Sequence, residues 1–420
     1  METFAHELES LGVKLILGED YLKDLSEPVI FRSPGVNVRL PELVSAREAG
    51  AVILSEMELF LELTPARVIG ITGSDGKTTT TTLTGLFLGE EERKFGKRKI
   101  YVGGNIGEPL LPYVEQMTSS DIAVLELSSF QLSDMTYAPT RAAITNLSLN
   151  HLDWHTDFRD YAEAKANIFR GSGNEMLVTN AENETAVRLA ETAECPVTLF
   201  SSKKSADAFP TFAARRIYVE DGWITVWENG VAKQIIRRDD ILLKGTYNLE
   251  NYMTAIGVTY GLVSPESVAA VARSFSGVRH RVEYITTVDG VKYFDSSIDT
   301  TPTRTAAVIS AFAQKPVIIC GGYDKHIPFE PLAIALKRYA KTAILTGATR
   351  EQIKSALDAV EGELRVIVEP SFEMAVERAR EEAVAGESVL LSPACASYDR
   401  FSSFEERGDY FRDLVLKFQK

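Results

Sequence analysis

Short β-branched runs alternate with helical patterns through most of this 420-residue chain, and that alternation restricts it to a parallel α/β architecture. Residues 68–72, 100–103, 122–127, 143–147 and 176–179 are each short, apolar and bounded by polar residues or glycine. Runs of this kind suit strands buried on both faces, so they are predicted to share one parallel sheet. Residues 215–237 break the pattern. Three runs there, at 216–219, 223–227 and 231–235, are separated by Asp221-Gly222 and Asn229-Gly230. These dipeptides favour two-residue hairpin turns, and a small antiparallel piece is predicted. Helical patterns follow at 248–262 and 265–275. Asp289-Gly290 then opens a second βα series, with strands at 317–320, 343–345, 365–368 and 388–391.

The restart places a domain boundary near Gly277. Residues 1–65 read as a smaller α/β piece, with strands at 29–31 and 52–54. The expected domains are 1–65, 66–277 and 278–420. Forty-five basic against 59 acidic residues give a net charge of −14, which argues against a nucleic-acid or anionic-membrane surface. No apolar run approaches the ~18 residues of a membrane span, and the acidic, interrupted start is no secretory signal. Three cysteines, Cys195, Cys320 and Cys395, fit neither a disulfide framework nor a zinc site. A cytoplasmic location is expected.

The most informative motif is Gly73-Ser74-Asp75-Gly76-Lys77-Thr78, between an apolar strand and a helical segment. Glycines let backbone N–H groups approach an anion, and a helix N-terminus favours negative charge. Lys77 is placed to meet β- and γ-phosphates and Thr78 to meet Mg²⁺. The spacing departs from the usual phosphate loop, because Ile71 stands where its first glycine would be. Read blandly, the motif is a glycine-rich turn before an exposed lysine. Five consecutive threonines, Thr78–Thr82, count against that, since a β-branched run starts a helix poorly unless its hydroxyls have partners.

Other polar residues fall at predicted strand ends, where ligands of open α/β sheets gather. Asn105 lies in Gly103-Gly104-Asn105-Ile106-Gly107. Glu126 lies inside an apolar strand, where an unpaired carboxylate is costly and an ATP-bound Mg²⁺ is a natural partner. His151 and His155, two of five histidines, fit a capped loop as well as a ligand pair. Lys165, on a helical pattern, reads in isolation as a solvated surface residue.

In this order, across nearly the whole chain, these segments resemble the Mur ligase family, ATP-dependent amide-bond ligases of peptidoglycan precursor synthesis. Ser33-Pro34-Gly35, GGNIG at 103–107, LELSSFQL at 125–132 and LLSPACASYDRFSSFEERG at 390–408 carry the likeness. It implies an α/β fold of three domains. The first is Rossmann-like and incomplete, the second an ATPase-like parallel sheet with a small antiparallel piece, and the third Rossmann-like. About one N-terminal βαβ unit, some 30 or more residues, is expected to be missing, with Met1 falling at a helix and strand around residues 2–17. A misassigned start or a truncation would account for it.

The resemblance also implies roles. Lys77 and Thr78, with Gly73, Ser74, Asp75, Gly76 and Thr79, would hold ATP. Thr78, Glu126, His151 and Lys165 would hold two Mg²⁺ ions, Lys165 as a carbamate; carbamylation turns a repelled ammonium into an anionic oxygen ligand. Asn248 and Asn251 match nucleotide contacts and share a helical face. Arg281 matches a residue reaching ATP phosphate. Asp295 or Asp299 would meet the ribose, because the segment from Asp295 departs from the family's commonest order. Ser33, Pro34, Gly35, Asn105, Ser128 and Gln131 would bind UDP-N-acetylmuramoyl-L-alanine. Lys325, Ser397 and Phe404 would bind D-glutamate, whose two carboxylates suit a lysine and a hydroxyl. The implied chemistry is activation of a carboxylate as an acyl phosphate followed by attack of the amine, with Lys77, His151, Lys165 and Lys325 closest to it. Closure of the C-terminal domain would bring Arg281 and Lys325 to the reaction and exclude water. A monomer working on small molecules is expected. Two rivals share the motifs: another ligase of the superfamily, such as a folylpolyglutamate synthetase, and a nucleotide-binding protein without ligase activity.

Overall fold

The computed structural model describes residues 8–18, 20–96, 98–149, 154–325 and 327–419. The chain divides into two compact units between Phe275 and Ser276.

The first unit is built on a nine-stranded sheet. Its strands are β3 (Arg67–Thr72), β4 (Ile100–Gly104), β5 (Ile122–Glu126), β6 (Arg141–Ile144), β7 (Met176–Asn180), β8 (Val197–Phe200), β9 (Ala213–Glu220), β10 (Trp223–Glu228) and β11 (Val231–Arg237). They lie in the order β11-β10-β9-β8-β7-β6-β3-β5-β4. Pairing is parallel from β4 to β9 and antiparallel through the last two strands. The parallel strands β5, β7 and β8 are buried at every residue, as a sheet covered on both faces requires. Both hairpin turns have positive φ at their two central residues, 50° and 79° at Asp221-Gly222 and 50° and 81° at Asn229-Gly230. That is the conformation these dipeptides favour.

β3 sits between β5 and β6, with Ile71 level with Glu126 and Thr72 level with Ile144. The order reverses here, so a crevice opens at the carboxyl ends of these three strands. The helix Lys77–Phe95 leaves from β3, and the helix Thr246–Thr259 packs beside it, with Phe87 and Tyr252 rings 6.0 Å apart. A two-stranded parallel pair, β1 (Val29–Phe31) and β2 (Val52–Leu54), also belongs to this unit. The helix Glu56–Leu63 that follows it buries Met57 and Phe60 in the core beneath the large sheet.

The second unit holds β12 (Glu283–Val288), β13 (Val291–Asp295), β14 (Val317–Cys320), β15 (Thr342–Leu345), β16 (Arg365–Val368) and β17 (Ser388–Leu391), in the order β12-β13-β17-β14-β15-β16. Only the β12–β13 hairpin is antiparallel. Asp289-Gly290 turns it, with φ of 50° and 78°.

Some expected elements differ. The run at 143–147 is strand only to Ile144; beyond it the Thr145 N–H still donates to the Thr72 carbonyl at 3.0 Å while its hydroxyl donates to the Asp75 carbonyl at 2.6 Å. β8, β12 and β13 were not anticipated. Residues 13–17 carry no strand. Among the described residues no helix is long and apolar enough to cross a membrane.

Candidate active site

Glycine governs the phosphate loop. Gly76 caps the helix Lys77–Phe95 at φ 79°. A Cβ there would lie 2.2 Å from Asn251 Oδ1, and one at Gly73 (φ 147°) would lie 1.9 Å from Thr145 Oγ1. The loop is held by the segment after β6. Asn146 accepts from the Asp75 N–H at 3.0 Å and donates back to the Asp75 carbonyl at 3.1 Å. The Ser74 hydroxyl meets the Ser148 carbonyl at 3.1 Å and the Tyr161 hydroxyl at 2.9 Å, so it faces the scaffold. Lys77 Nζ folds back onto the Gly73 and Ser74 carbonyls, both at 3.0 Å. The threonine run finds partners in part: Thr82 donates to the carbonyl one turn back at 2.8 Å and Thr80 to Asn251 Oδ1 at 3.3 Å, as Thr84 beyond the run does to the Thr80 carbonyl at 2.8 Å, whereas the buried Thr81 hydroxyl has none.

Two charged side chains are buried beside this loop. Glu126 is 2% exposed. Asn105 Nδ2 donates to its Oε1 at 2.9 Å, whereas Oε2 has no hydrogen-bond partner. Lys165 is also 2% exposed. It sits on the inward face of the helix Phe158–Arg170, donates to Thr72 Oγ1 at 3.1 Å, and lies 4.8 Å above the Tyr161 ring. Burial, reinforced by the positive charge of Lys77, drives its pKa well below the ordinary lysine range despite an opposing effect from Glu126. An orphaned buried carboxylate oxygen and an amine biased toward neutrality suit a hard cation and a carbamate. The chemistry of this pair therefore fits a site for a divalent cation, with the free Glu126 oxygen as one candidate ligand.

Asn248 and Asn251 are both buried on the helix Thr246–Thr259. Asn248 donates to the Lys244 carbonyl at 2.7 Å. Asn251 lines a cavity of about 370 Å³ with Asp75, Gly76, Asn146, Phe200 and Tyr247. Ser128 and Gln131 form a capping box on the helix Ser129–Leu132, which follows directly from Glu126.

In the second unit, Asp295 is fully buried. His280 Nδ1 lies 2.7 Å from one of its oxygens, and the Ser297 N–H donates to the other at 2.8 Å. Asp299 is buried too, accepts from the Ser392 hydroxyl at 2.8 Å, and lies 3.9 Å from the Arg304 guanidinium. His280, Glu283 and Asp295 approach one another closely enough for a metal, but these groups are engaged in hydrogen bonds, including one from the His280 N–H to Glu283 at 2.9 Å. Lys325 donates to Thr300 at 3.1 Å, and burial lowers its pKa. Tyr323 pairs with Ala396, which brings the Lys325 loop to the segment carrying Ser397. Buried Arg407 ties that segment down through the Cys395 and Ala396 carbonyls and Ser297. Phe404 begins the final helix and stands edge-on to His280.

A larger cavity, about 870 Å³, is lined by Lys315, Lys341, Arg365 and Glu387 at the amino ends of the second sheet's strands. Lys341 pairs with Glu387 at 2.7 Å, and Arg365 with Glu382 at 2.6 Å.

Family models match in both units: the Mur ligase middle domain at residues 71–259 and the Mur ligase glutamate ligase domain at 280–395. The chain belongs to the Mur ligase family. It is 42% identical to the UDP-N-acetylmuramoylalanine–D-glutamate ligase of Clostridium perfringens over 97% of this chain and 87% of that protein. The enzyme of the same name from Clostridium beijerinckii is 44% identical over 96% and 86%. Among solved structures, a UDP-N-acetylmuramoyl-L-alanyl-D-glutamate–2,6-diaminopimelate ligase has a TM-score of 0.55 at 17% identity, over 98% of each chain. A bifunctional folylpolyglutamate synthase/dihydrofolate synthase from Yersinia pestis has a TM-score of 0.57 at 14% identity, over 86% of this chain and 93% of that one. At such identities these structures show the shared fold alone. As a Mur ligase, the chain is an ATP-dependent ligase, for which ATP and Mg²⁺ are implied.

In this Mur ligase, Lys77, Glu126, Lys165, Asn105 and Asn251 gather around the carboxyl ends of β3, β5 and β6. His151 lies outside the described residues. Lys325, Ser397, Phe404, Arg281 and Asp295 belong to the second unit. Several residues that build the site had no signal in the sequence. Thr72, Thr145 and Tyr161 are ordinary residue types whose roles come from their neighbours. His155, weighed above only as one of a histidine pair, is buried between Ser129 Oγ at 2.9 Å and Asp160 at 3.3 Å.

Proposed function

We propose that this ligase joins D-glutamate to UDP-N-acetylmuramoyl-L-alanine in peptidoglycan precursor synthesis. A carboxylate oxygen of the alanyl group attacks the γ-phosphorus of ATP and ADP departs. The amine of D-glutamate, having lost a proton, then attacks the acyl carbon, and phosphate leaves as the amide forms. Phosphorylation supplies the leaving group that a carboxylate lacks, so no protein nucleophile is required. The observation that carries this reading is the buried Lys165–Glu126 neighbourhood under the phosphate loop, which suits anionic ligands for metal rather than a plain scaffold. The names of relatives above 40% identity favour D-glutamate over a folate-type substrate.

In this reading Gly73, Ser74, Asp75, Gly76, Lys77, Thr78 and Thr79 cradle the phosphates, and Asn248 and Asn251 face the nucleoside. Glu126, Thr78, His151 and carbamylated Lys165 hold two Mg²⁺ ions, which screen the charge between the γ-phosphate and the incoming carboxylate when bound. Arg281 reaches phosphate, and Asp295 or Asp299 the ribose. Ser33, Pro34, Gly35, Asn105, Ser128 and Gln131 contact the UDP-linked substrate. Lys325, Ser397 and Phe404 hold D-glutamate. We assign the domains as 1–65, 66–277 and 278–420, and the enzyme as a cytoplasmic monomer.

The test is ADP release by the purified chain with ATP, Mg²⁺, UDP-N-acetylmuramoyl-L-alanine and D-glutamate, each omitted in turn. Release that requires both substrates, with the amide product, is the expected result. Release supported instead by a folate and L-glutamate, or ATP binding without release, would overturn it.

A further inference from the structure

The turn after β1 is held by one buried cation. Arg32 has a side chain only 1% exposed, and all of its guanidinium nitrogens are engaged. Nη1 donates to the carbonyls of Ser33 and Pro34 at 3.4 Å and of Val36 at 3.3 Å. Nη2 donates to the Phe130 carbonyl at 3.3 Å and to Asp134, and Nε donates to Asp134 at 3.3 Å. Thus one side of the fork gathers the Ser33–Val36 turn, which closes on itself through the Val36 N–H and the Ser33 carbonyl at 3.0 Å. The other side grips the helix Ser129–Leu132 through Phe130, and Asp134 two residues beyond it.

Three carbonyl oxygens converging on one centre repel each other unless a cation lies between them. Drawing them inward leaves Gly35 exposed, its N–H without a partner among the described residues. That single outward N–H is the donor the turn offers to a ligand. The helix on the other side of Arg32 carries Ser128 and Gln131, already locked to each other. Both walls assigned above to the UDP-linked substrate therefore meet at one buried side chain whose donors are already engaged.

We infer that Arg32, seated on Asp134, is a positioning residue that fixes the Ser33–Val36 turn against the Ser128–Gln131 helix and so preforms the binding wall for the UDP-linked substrate. The substrate half of this inference rests on the proposed function. Lysine cannot replace it fully, because a point charge does not span a planar fork of donors.

The experiment compares the full chain with Arg32→Ala, Arg32→Lys and Asp134→Asn. Arg32→Ala is expected to raise KM for UDP-N-acetylmuramoyl-L-alanine at least tenfold and to leave KM for ATP within twofold. Arg32→Lys should recover part of that loss. Amide hydrogen exchange should speed up across residues 33–40 and 129–134 and stay unchanged in β3 and β5. Unchanged exchange in the turn, or faster exchange with an unaltered KM for the UDP substrate, would overturn the inference. Exchange that accelerates throughout the first unit would assign Arg32 a general stabilising role and also overturn it. Wild-type chain inactive on the UDP substrate would refute the proposed function instead, and the exchange measurement would still decide whether Arg32 holds the turn.

Discussion

Lys165 Nζ lies 3.1 Å from Thr72 Oγ1, and that hydroxyl donates onward to the Leu127 carbonyl at 2.6 Å. Thr72 therefore accepts from the lysine, and among the described residues no carboxylate is within hydrogen-bonding distance of the amine. Burial and the nearby Lys77 charge lower the pKa of this amine, which favours the carbamate proposed above. We expect ¹³C-bicarbonate labelling to give a carbamate resonance in the wild type and none in Lys165→Met. Activity of that variant should fall by on the order of 10³-fold. An identical spectrum in the two proteins would remove the carbamate assignment.

Glu126 holds one carboxylate oxygen buried and unpartnered. Glu126→Gln removes a buried charge with incomplete compensation, so stability should hold or rise by up to about 1–3 kcal/mol. Ligase turnover should fall by on the order of 10³-fold because the hard oxygen ligand is lost. Thermal melting together with a Mg²⁺ titration of activity checks both halves. A destabilised yet active variant contradicts both.

Gly76→Ala should cost about 1–3 kcal/mol for a side chain forced into left-handed backbone. The new Cβ would also displace Asn251, whose Oδ1 lies 2.2 Å from its position. Calorimetric titration with ATP should then show at least tenfold weaker binding. Gly89→Ala, in the middle of the same helix with open space around its Cβ position, should bind ATP normally and melt no lower.

Lys325→Ala should raise KM for D-glutamate at least tenfold and leave KM for ATP within twofold, since its ammonium is assigned to a substrate carboxylate. Steady-state kinetics with each substrate varied checks the split. Equal effects on both constants would argue for a structural lysine.

The second unit should weaken in acid through Glu373. Hydrogen bonds from the Tyr410 hydroxyl at 2.6 Å, from Ser371 at 2.8 Å and from Arg400 lower its pKa from 4.5 to about 2. The unfolded state then binds more protons than the folded state between those values. The contribution is complete above pH 4.5 and is lost as pH falls through about 2. Urea melts of wild type and Glu373→Gln should converge as pH drops across that window. Parallel curves would show that Glu373 carries none of the slope.

Much of this fold was legible because its signals are local. Asp221-Gly222, Asn229-Gly230 and Asp289-Gly290 adopt the positive φ values that their hairpins need, a property of two adjacent residues. β8 escaped notice because four residues behind Pro196 make a weak run; its place is set by β7 and β9 on either side. Residues 145–147 look like strand by composition. The strand ends at Ile144: Thr145 and Asn146 keep backbone bonds to Thr72 and Ser74 and add side-chain bonds to Asp75. At the candidate site, Lys77 and Glu126 stand in segments that the sequence marks out, whereas the turn of the Ser74 hydroxyl toward Tyr161 has no such signal.

The sequence by itself determined the strand–loop–helix unit around Gly73–Lys77, the parallel strands and the hairpins of residues 215–237, because periodicity, chain reversal and glycine conformation act over a few residues. Only the tertiary structure decided that Lys165 is a buried amine and that Arg32 bridges two walls. Each contacts partners far away in the chain, Thr72 at 93 residues' separation and Asp134 at 102. The strand order brings those partners together, and the loss of water around them, which sets the chemistry of a lysine or an arginine, is a property of packing and not of the residue.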